Sequence, residues 1–534
     1  MQMGIEMLMK RVKKNLGLIY PILMILIYPF IMGKKIYSSR FASFVWSSQS
    51  LTATDYFLIF KMYFFLFATL IFLVYAWIST KKKKEKYNIA GFVGLFSYQV
   101  LSVISFLFSS NKYLSVLGAN EQFEPIWVLL SYGVCAYLTF LFIKEEEERI
   151  WVYRAATVAV CIMGIIGIIQ YVMIHTKVYL TLYNSNYVGM MLATLLPILY
   201  MRMMDYEKPQ WESWLYRAAV LFGIITLILS GSKSAIMISI WGFLLFLLMQ
   251  KAKKWVCFLY LVLTLLSGLG LLGYKAFGGE TGTSRIGNVI TEKNKVTFLE
   301  NCGNVISFQF DMLNNDNYLF TLMDSDGKEI SYGKNGEETR YVPNDERFSD
   351  FLFTIVEYEN YFGFMVTVDG RDWYFARNAS GEYCYVNGYG NLDSFQVAKS
   401  WLFDGEEGFA TNRGYIWSRT LPLLFRYLFV GSGPDTFASV FPQNDVGKYL
   451  TTDIPYKMII TKPHNMYLQI AIQTGVFSLI ALLFYIGSVL KGLRKTNQNG
   501  LYIAILCYLL VAVFNDSSLC VAPVFFVITG MRVD

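Results

Sequence analysis

The sequence predicts an all-α polytopic membrane protein that carries one inserted β-sandwich-like domain, and three observations predict it. Of the 534 residues, 55% are hydrophobic and only 16% are charged, where a soluble chain carries roughly a quarter charged. The deficit is uneven: long stretches hold almost no charge, while residues 280–410 have the composition of a soluble domain. The basic residues lie in short clusters between apolar runs, the arrangement that sets membrane topology. The net charge of +7 therefore does not point to nucleic acid.

A membrane helix needs about 20 predominantly apolar residues. Segments of that kind fall near 16–32, 56–78, 88–108, 125–143, 150–174, 187–204, 215–232, 235–250, 255–274, 466–490, 500–516 and 518–531, the last being short. This gives about twelve spans in four stretches. Residues 1–275 hold about nine, 276–405 form the insert, 406–463 an outer-face segment with an Arg and Gly-rich motif, and 464–534 about three. The first run is long enough to span and lacks a small-residue cleavage site, so no cleavable signal is expected.

Orientation follows from the flanking cations. Lys10, Arg11, Lys13 and Lys14 precede the first span, and Lys81 to Lys84 with Lys86 follow the second. Lys144 and Arg149 follow the fourth, Arg202, Lys208 and Arg217 the sixth, Lys251, Lys253 and Lys254 the eighth, and Lys491, Arg494 and Lys495 the tenth. Every second loop is basic and is expected in the cytoplasm, with both termini. Lys34, Lys35 and Arg40 in the first outer loop break the pattern, and headgroup contact is the expected reason. Residues 218–249 read as one kinked helix or as a hairpin. Arg217 and Lys251–Lys254 both look cytoplasmic, so an even number of crossings separates them, which predicts a hairpin with Lys233 at its outer tip. The same parity puts the insert and residues 413–464 outside.

The insert reads as β. Lys295–Glu300, Val305–Met312, Tyr318–Met323 and Phe351–Glu357 are rich in β-branched and aromatic residues, and Asp326-Gly327 and Asp369-Gly370 are hairpin-turn dipeptides. A small β-sandwich or jelly roll is expected. Trp373 is assigned to its core in preference to a sugar-stacking surface. Cys302 and Cys384 both lie in the insert, which leaves a disulfide open if that compartment is oxidising.

The chain has two histidines and no HExxH, paired CxxC, Walker loop or metal-spaced acidic triad, so no metal or cofactor is expected. The polar residues of interest sit at the predicted outer face. His464 opens Lys462-Pro463-His464-Asn465-Met466-Tyr467-Leu468-Gln469, where Pro463 suits the start of a helix. Histidine's ordinary pKa of about 6.5 suits base chemistry near neutrality; the alternative is an interfacial polar residue without a role. Arg413 offers a guanidinium fork for a phosphate; the alternative reading is that Arg413, Arg419 and Arg426 all contact lipid headgroups. Gly431 and Gly433 allow a tight backbone turn. Lys233, flanked by apolar helices, suits an anionic ligand, whereas Lys61 is expected to snorkel.

Four segments in order resemble the O-antigen ligase and O-antigen polymerase superfamily of bacterial membrane glycosyltransferases. Tyr183-Asn184-Ser185-Asn186-Tyr187-Val188-Gly189 is similar to its Asn-rich helix entry, and Leu229-Ser230-Gly231-Ser232-Lys233-Ser234-Ala235 to its Ser-Arg-Gly/Ser-Ala hairpin. Arg413 to Trp417 with Val430-Gly431-Ser432-Gly433-Pro434 resembles the Arg/Trp/Gly-rich stretch, and His464-Asn465-Met466-Tyr467-Leu468 with Gly475 the HNxxL segment. The resemblance implies a GT-C-like fold and transfer of a glycan from a polyprenyl-pyrophosphate carrier in the membrane lipid to a hydroxyl of a glycan or lipid-glycan acceptor. It implies His464 as catalytic base, Lys233 and Arg413 as pyrophosphate ligands, and Asn186, Ser232, Gly431, Gly433 and Asn465 in support. Lys233 stands where the family carries Arg, keeping the charge but losing the fork. The β insert is unlike the helical loops of that family and is expected to be an accessory acceptor- or polymer-binding module. Ligase and polymerase stay undivided. Two other readings stand beside the enzyme: a lipid-linked oligosaccharide flippase or transporter, and a membrane-anchored glycan-binding sensor.

Overall fold

The structure is a computed structural model that describes residues 16–83, 90–205, 209–250, 284–314, 317–335, 340–358, 361–455 and 457–531. The span expected near 255–274, and the basic residues at 10–14, 84–86, 208 and 251–254, lie outside the described residues.

The apolar runs form helices because nothing within most of them breaks an intrahelical ladder that satisfies the backbone without water. In chain order they are α1 (Ile19–Leu26), α2 (Ile59–Lys83), α3 (Val93–Leu107), α4 (Lys112–Leu117), α5 (Ile126–Phe142), α6 (Glu146–Ile174), α7 (Ser185–Met203), α8 (Gln210–Ser230) and α9 (Lys233–Met249). After the insert come α10 (Phe409–Tyr427), α11 (Phe437–Val440), α12 (Val446–Thr451), α13 (Met466–Thr474), α14 (Val476–Lys495), α15 (Asn499–Val511) and α16 (Ala522–Gly530). Four of these, α2, α6, α8 and α14, contain stretches long and apolar enough to cross a membrane, and α3, α5, α9 and α15 are apolar but shorter. The architecture is that of a membrane protein with a separate β domain.

Two expected spans are interrupted. The run 16–32 breaks into α1 and short 3-10 turns at Leu16–Leu18 and Tyr28–Phe30, because Pro29 has no N–H to continue a helix. The run 466–490 is cut at Gly475, whose φ is +91°. A Cβ there would lie 2.5 Å from the Phe429 carbonyl oxygen, and Val476 N donates to Leu428 O at 2.9 Å. The break is therefore a docking point for the end of α10. The segment between α1 and α2 forms a small hairpin, β1 (Lys35–Ser38) paired antiparallel with β2 (Thr52–Asp55), and Arg40 Nη1 donates to Tyr113 Oη at 3.1 Å.

At the centre of the helical part lies α7, buried along almost its whole length, with α6, α8, α9 and α15 packed around it. Gly231 turns the chain in the left-handed region at φ +63°, and α9 then runs back down α7 opposite α8. Ser232 and Ala235 pack on Gly189 near the start of α7, while Phe243 and Phe246 meet Tyr200 near its end. The reversal expected at Lys233 is present, with α7 lying between the two arms. Lys61 does not snorkel. It is wholly buried, and its Nζ donates to the carbonyls of Ile31, Phe57 and Thr181.

The insert is a two-sheet sandwich. One sheet is the meander β3 (Ile286–Thr291), β4 (Val296–Glu300), β5 (Val305–Asn314), β6 (Asn317–Met323) and β7 (Glu329–Ile330). The other is β8 (Tyr332–Lys334), β9 (Arg340–Pro343), β10 (Leu352–Tyr358), β11 (Tyr361–Val368), β12 (Arg371–Arg377), β13 (Tyr383–Val386) and β14 (Leu392–Asp393), again in sequence order. Each is an antiparallel meander, which excludes a jelly roll and its Greek-key crossings. Alternate residues face inward and build an aromatic core in which Phe308 meets Phe364 at 4.4 Å and Phe298 meets Phe351 and Trp373 edge-on. Trp373 is 2% exposed, as a core residue. Cys302 and Cys384 are free thiols.

The sandwich is tied to the helical part through several contacts. Val446 and Leu450 of α12 belong to its core, and Asn387 and Asn391 donate to Val45 O at 2.8 and 2.7 Å. Gly189→Leu is expected to force α7 and α9 apart, since a Cβ at Gly189 already lies 2.6 Å from Ser232 Cβ. Overpacking of this kind costs about 1–3 kcal/mol, and a lowered melting temperature of the purified protein in detergent would register it.

Candidate functional site

His464 sits between Pro463 and the N-cap of α13, in the left-handed region at φ +52°, a conformation that costs a β-carbon-bearing residue roughly 1–2 kcal/mol. Four contacts hold it there. Trp417 Nε1 donates to Pro463 O at 2.8 Å. The Asn465 side chain caps α13 by accepting from Leu468 N at 2.9 Å, worth about 1 kcal/mol. Met466 N is shared between Ala512 O at 3.0 Å and Asn515 O at 2.9 Å. The start of α13 is thereby stitched to the loop between α15 and α16, which carries Asp516.

Asp516 Oδ2 lies 3.0 Å from His464 Nδ1, with the Asp side chain 1% exposed and the His side chain 39% exposed. An ionised carboxylate only accepts, so Nδ1 carries the proton and the neutral ring presents its lone pair at Nε2. Among the described residues Nε2 has no protein partner. Burial works against the Asp516 charge, but His464, Lys462 and Arg413 together hold its carboxyl below the ordinary range.

Arg413 follows three consecutive left-handed residues, Ala410, Thr411 and Asn412, at φ +50°, +64° and +63°. Its Nε donates to Phe514 O at 3.1 Å and its Nη1 to Ala410 O at 2.8 Å. Both acceptors are neutral, so no carboxylate among the described residues pairs directly with the guanidinium. Burial lowers its pKa and the nearby Asp516 opposes that. Backbone strain of this density, with Tyr183, Glu121, Asp435 and His464 also at positive φ, is the kind that gathers at functional sites.

Lys462, two residues before His464, is 7% exposed. Its Nζ donates to Tyr187 Oη at 2.9 Å and Glu121 O at 3.0 Å, and it lies over the rings of Tyr183 and Tyr187. The Asn-rich entry to α7 thus meets the His segment through Lys462. Within that entry the cap is Asn184, which accepts from Asn186 N at 2.9 Å; Asn186 is partly exposed.

Behind the dyad lies a buried carboxyl pair. Glu124 accepts from Tyr132 Oη, from Ser517 Oγ at 3.0 Å and from Gln469 Nε2 at 3.1 Å. Asp435 accepts from Ala119 N at 2.6 Å and Glu124 N at 3.0 Å, while its Oδ1 is buried without a partner among the described residues. Burial pushes the Asp435 carboxyl up to about 8, with the two backbone N–H groups pulling against it and Glu124 adding to it. Burial likewise raises Glu124, against the hydrogen bonds from Tyr132 and Ser517 and the pull of Lys462.

The other expected site residues have different places. Lys233 is exposed at the first position of α9, and no hydrogen bond or ion pair among the described residues joins it to His464, Arg413 or Asp516. Ser232 is buried and packed on Gly189, its Oγ unpartnered among the described residues. Gly431 and Gly433 act on the backbone. At φ +79° and +112° they let Ser432 N and Gly433 N donate to Ile472 O and Gln473 O at 2.8 and 2.9 Å. A Cβ at Gly431 would lie 2.3 Å from Gln473 O. These glycines fasten the end of α13 and so position its start.

Asp516, Lys462, Glu124 and Asp435 were not among the expected site residues. Ionisable residues flanked by apolar helices are the available signal, and Asp516, between α15 and α16, is the one Asp, Glu, Lys or Arg in the sequence from 499 to 531. No group of three or more His, Cys, Asp or Glu among the described residues is arranged to hold a metal ion.

Comparison of the chain with protein-family models, with curated proteins and with solved structures gives no match.

Asp435 makes a pH prediction. Its folded pKa of about 8 exceeds the unfolded value of about 3.9. Below both values it contributes nothing, and between them the unfolded state releases its proton first, so stability falls as pH rises from about 4 to 8. Asp435→Asn imitates the protonated carboxyl and is expected to flatten that part of a melting-temperature profile.

Proposed function

We propose that this chain is a metal-independent membrane glycosyltransferase of the O-antigen ligase/polymerase type. It transfers a glycan from a polyprenyl-pyrophosphate carrier to an acceptor hydroxyl at the outer face of a bacterial cytoplasmic membrane. In this reading the chain crosses the bilayer about twelve times, with both termini cytoplasmic and the sandwich outside. The observation that carries it is the His464–Asp516 pair at 3.0 Å, buried on the carboxylate side and open on the imidazole side.

The chemistry follows from that asymmetry. His464 Nε2 takes the proton of the acceptor hydroxyl as its oxygen attacks the anomeric carbon. Asp516 fixes the tautomer and stabilises the imidazolium that forms, as the carboxylate does in a Ser-His-Asp triad. The bond from the anomeric carbon to the phosphate oxygen breaks, and the pyrophosphate leaves on its lipid. Negative charge grows on that leaving group, where fixed cations act most strongly. Arg413 is suited to it because its guanidinium is hydrogen-bonded to neutral carbonyls and makes no direct ion pair with a carboxylate among the described residues. Lys233, exposed and unpaired among the described residues, is the second cation, and the buried Lys462 instead balances Asp516. The carrier lipid enters from the bilayer, and no cofactor is used.

His464→Ala is expected to abolish polymer or ligated product while the protein still inserts, as read by product gels from membranes with matched protein levels. Asp516→Asn should lower the rate by about 10²–10⁴. Undiminished product from both variants would sink the assignment and favour the transporter or the sensor.

A further inference from the structure

Helix α14 divides its side chains between two faces. Ser478, Leu482, Tyr485 and Val489, spaced at one helical face, are buried. Phe477, Ile480 and Phe484, spaced at another, are exposed. In a helix long and apolar enough to cross a membrane, that second face is the one that meets lipid.

The apolar surface does not stop where α14 begins. Phe477 stacks on Phe429 with ring centroids 5.9 Å apart. Phe425 precedes Phe429 by four residues, about one helical turn, and its ring meets Trp401 at 5.6 Å. Phe425 is 72% and Phe429 67% exposed, and Trp401 and Leu402 are exposed with them. The other side of this stretch, with Leu423, Leu424 and Tyr427, packs into the cluster around Tyr415 and Trp417. The arrangement is fastened at two points: Val476 N donates to Leu428 O at 2.9 Å, and Trp401 N donates to Ser418 O at 3.0 Å. Arg426 is the one charged residue in 420–430, and a lone arginine can lift its head to water along its apolar stem. Contiguous exposed apolar side chains of this size mark an interaction surface.

We propose that the end of α10 and the loop at Trp401 and Leu402 are sunk in the membrane leaflet where α14 begins, without crossing it. Lipid acyl chains are the occupant because the ridge continues the lipid-facing side of α14: Phe429, 5.9 Å from Phe477, lies at about the depth of that helix's first turn. Trp401, at the far end, suits the headgroup level at which indoles gather. Interfacial helices bury an apolar face by about 5–10 Å in this way. Since α10 carries Arg413 near its other end and is tied to α12 through Arg419 and Asp445, the ridge sets the height of both over the bilayer. Such anchoring is independent of the transfer reaction.

The test places p-benzoylphenylalanine at Phe425 or Phe429 of the full-length protein in nanodiscs of palmitoyl-oleoyl phosphatidylethanolamine and phosphatidylglycerol, and reads photo-adducts by intact mass. The same replacement at Phe484 of α14 reports a lipid-facing position, and at the exposed Ile290 of β3 a position on the sandwich. Both ridge positions are expected to gain the mass of one phospholipid in yields like that at Phe484, with no adduct at Ile290. Each ridge replacement keeps a phenyl ring at an exposed site, and an unchanged melting temperature confirms the fold. Ridge positions that stay free of lipid, that label no better than Ile290, or that crosslink to a second copy of the chain overturn the proposal.

Discussion

A carboxylate taken out of water costs several kcal/mol unless cations and hydrogen bonds replace the water it loses, and the site is arranged around that requirement at Asp516. His464 contacts it, and Lys462 and Arg413 reinforce it from two other directions. These supports come from two stretches: His464 and Lys462 from the segment before α13, and Arg413 from the start of α10. Lys462 in turn engages Tyr187 and so fastens the start of α7. Buried charge thus gathers four stretches of chain that are far apart in sequence.

Backbone strain is the counterpart of this gathering. His464 and the run Ala410–Asn412 occupy left-handed conformations that the local sequence does not favour, and they persist because neighbours over-determine them. Trp417 holds Pro463, Asn465 caps α13, and the Gly431–Gly433 turn clasps the other end of α13. The break at Gly475 completes that clasp by letting α10 and α13 meet. A short helix fixed at both ends is a rigid mount for the His464 imidazole, the kind of support that the proposed role as a base would require.

The sandwich contributes differently. Its aromatic core closes over α12, whose Val446 and Leu450 are part of it, so the domain is not a pendant on a flexible tether. Asp445 accepts from Tyr415 Oη at 3.0 Å and Arg419 Nε at 3.1 Å, joining α12 to α10. Through this joint the helix bearing Arg413 and the sheets share one framework.

Much of this was legible in the chain itself. Apolar runs free of proline become helices because the backbone must satisfy its own hydrogen bonds, and alternation of aromatic and polar residues around Asp-Gly turns becomes antiparallel sheet. Spacing placed a reversal near Lys233 and marked His464 and Arg413 as polar residues in unusual company. The sequence could not reveal which carboxylate His464 meets, because Asp516 lies 52 residues away and hydrogen bonding has no periodicity to read at that distance. Nor could it show Lys61 turned inward onto three carbonyls, the helix broken at Gly475, or Lys462 in place of Lys233 beside the dyad. Local propensity and hydropathy act over a few turns of chain and decide which elements form. Pairing of buried charges and docking of strained loops depend on the whole packed arrangement, and only the tertiary structure decides them.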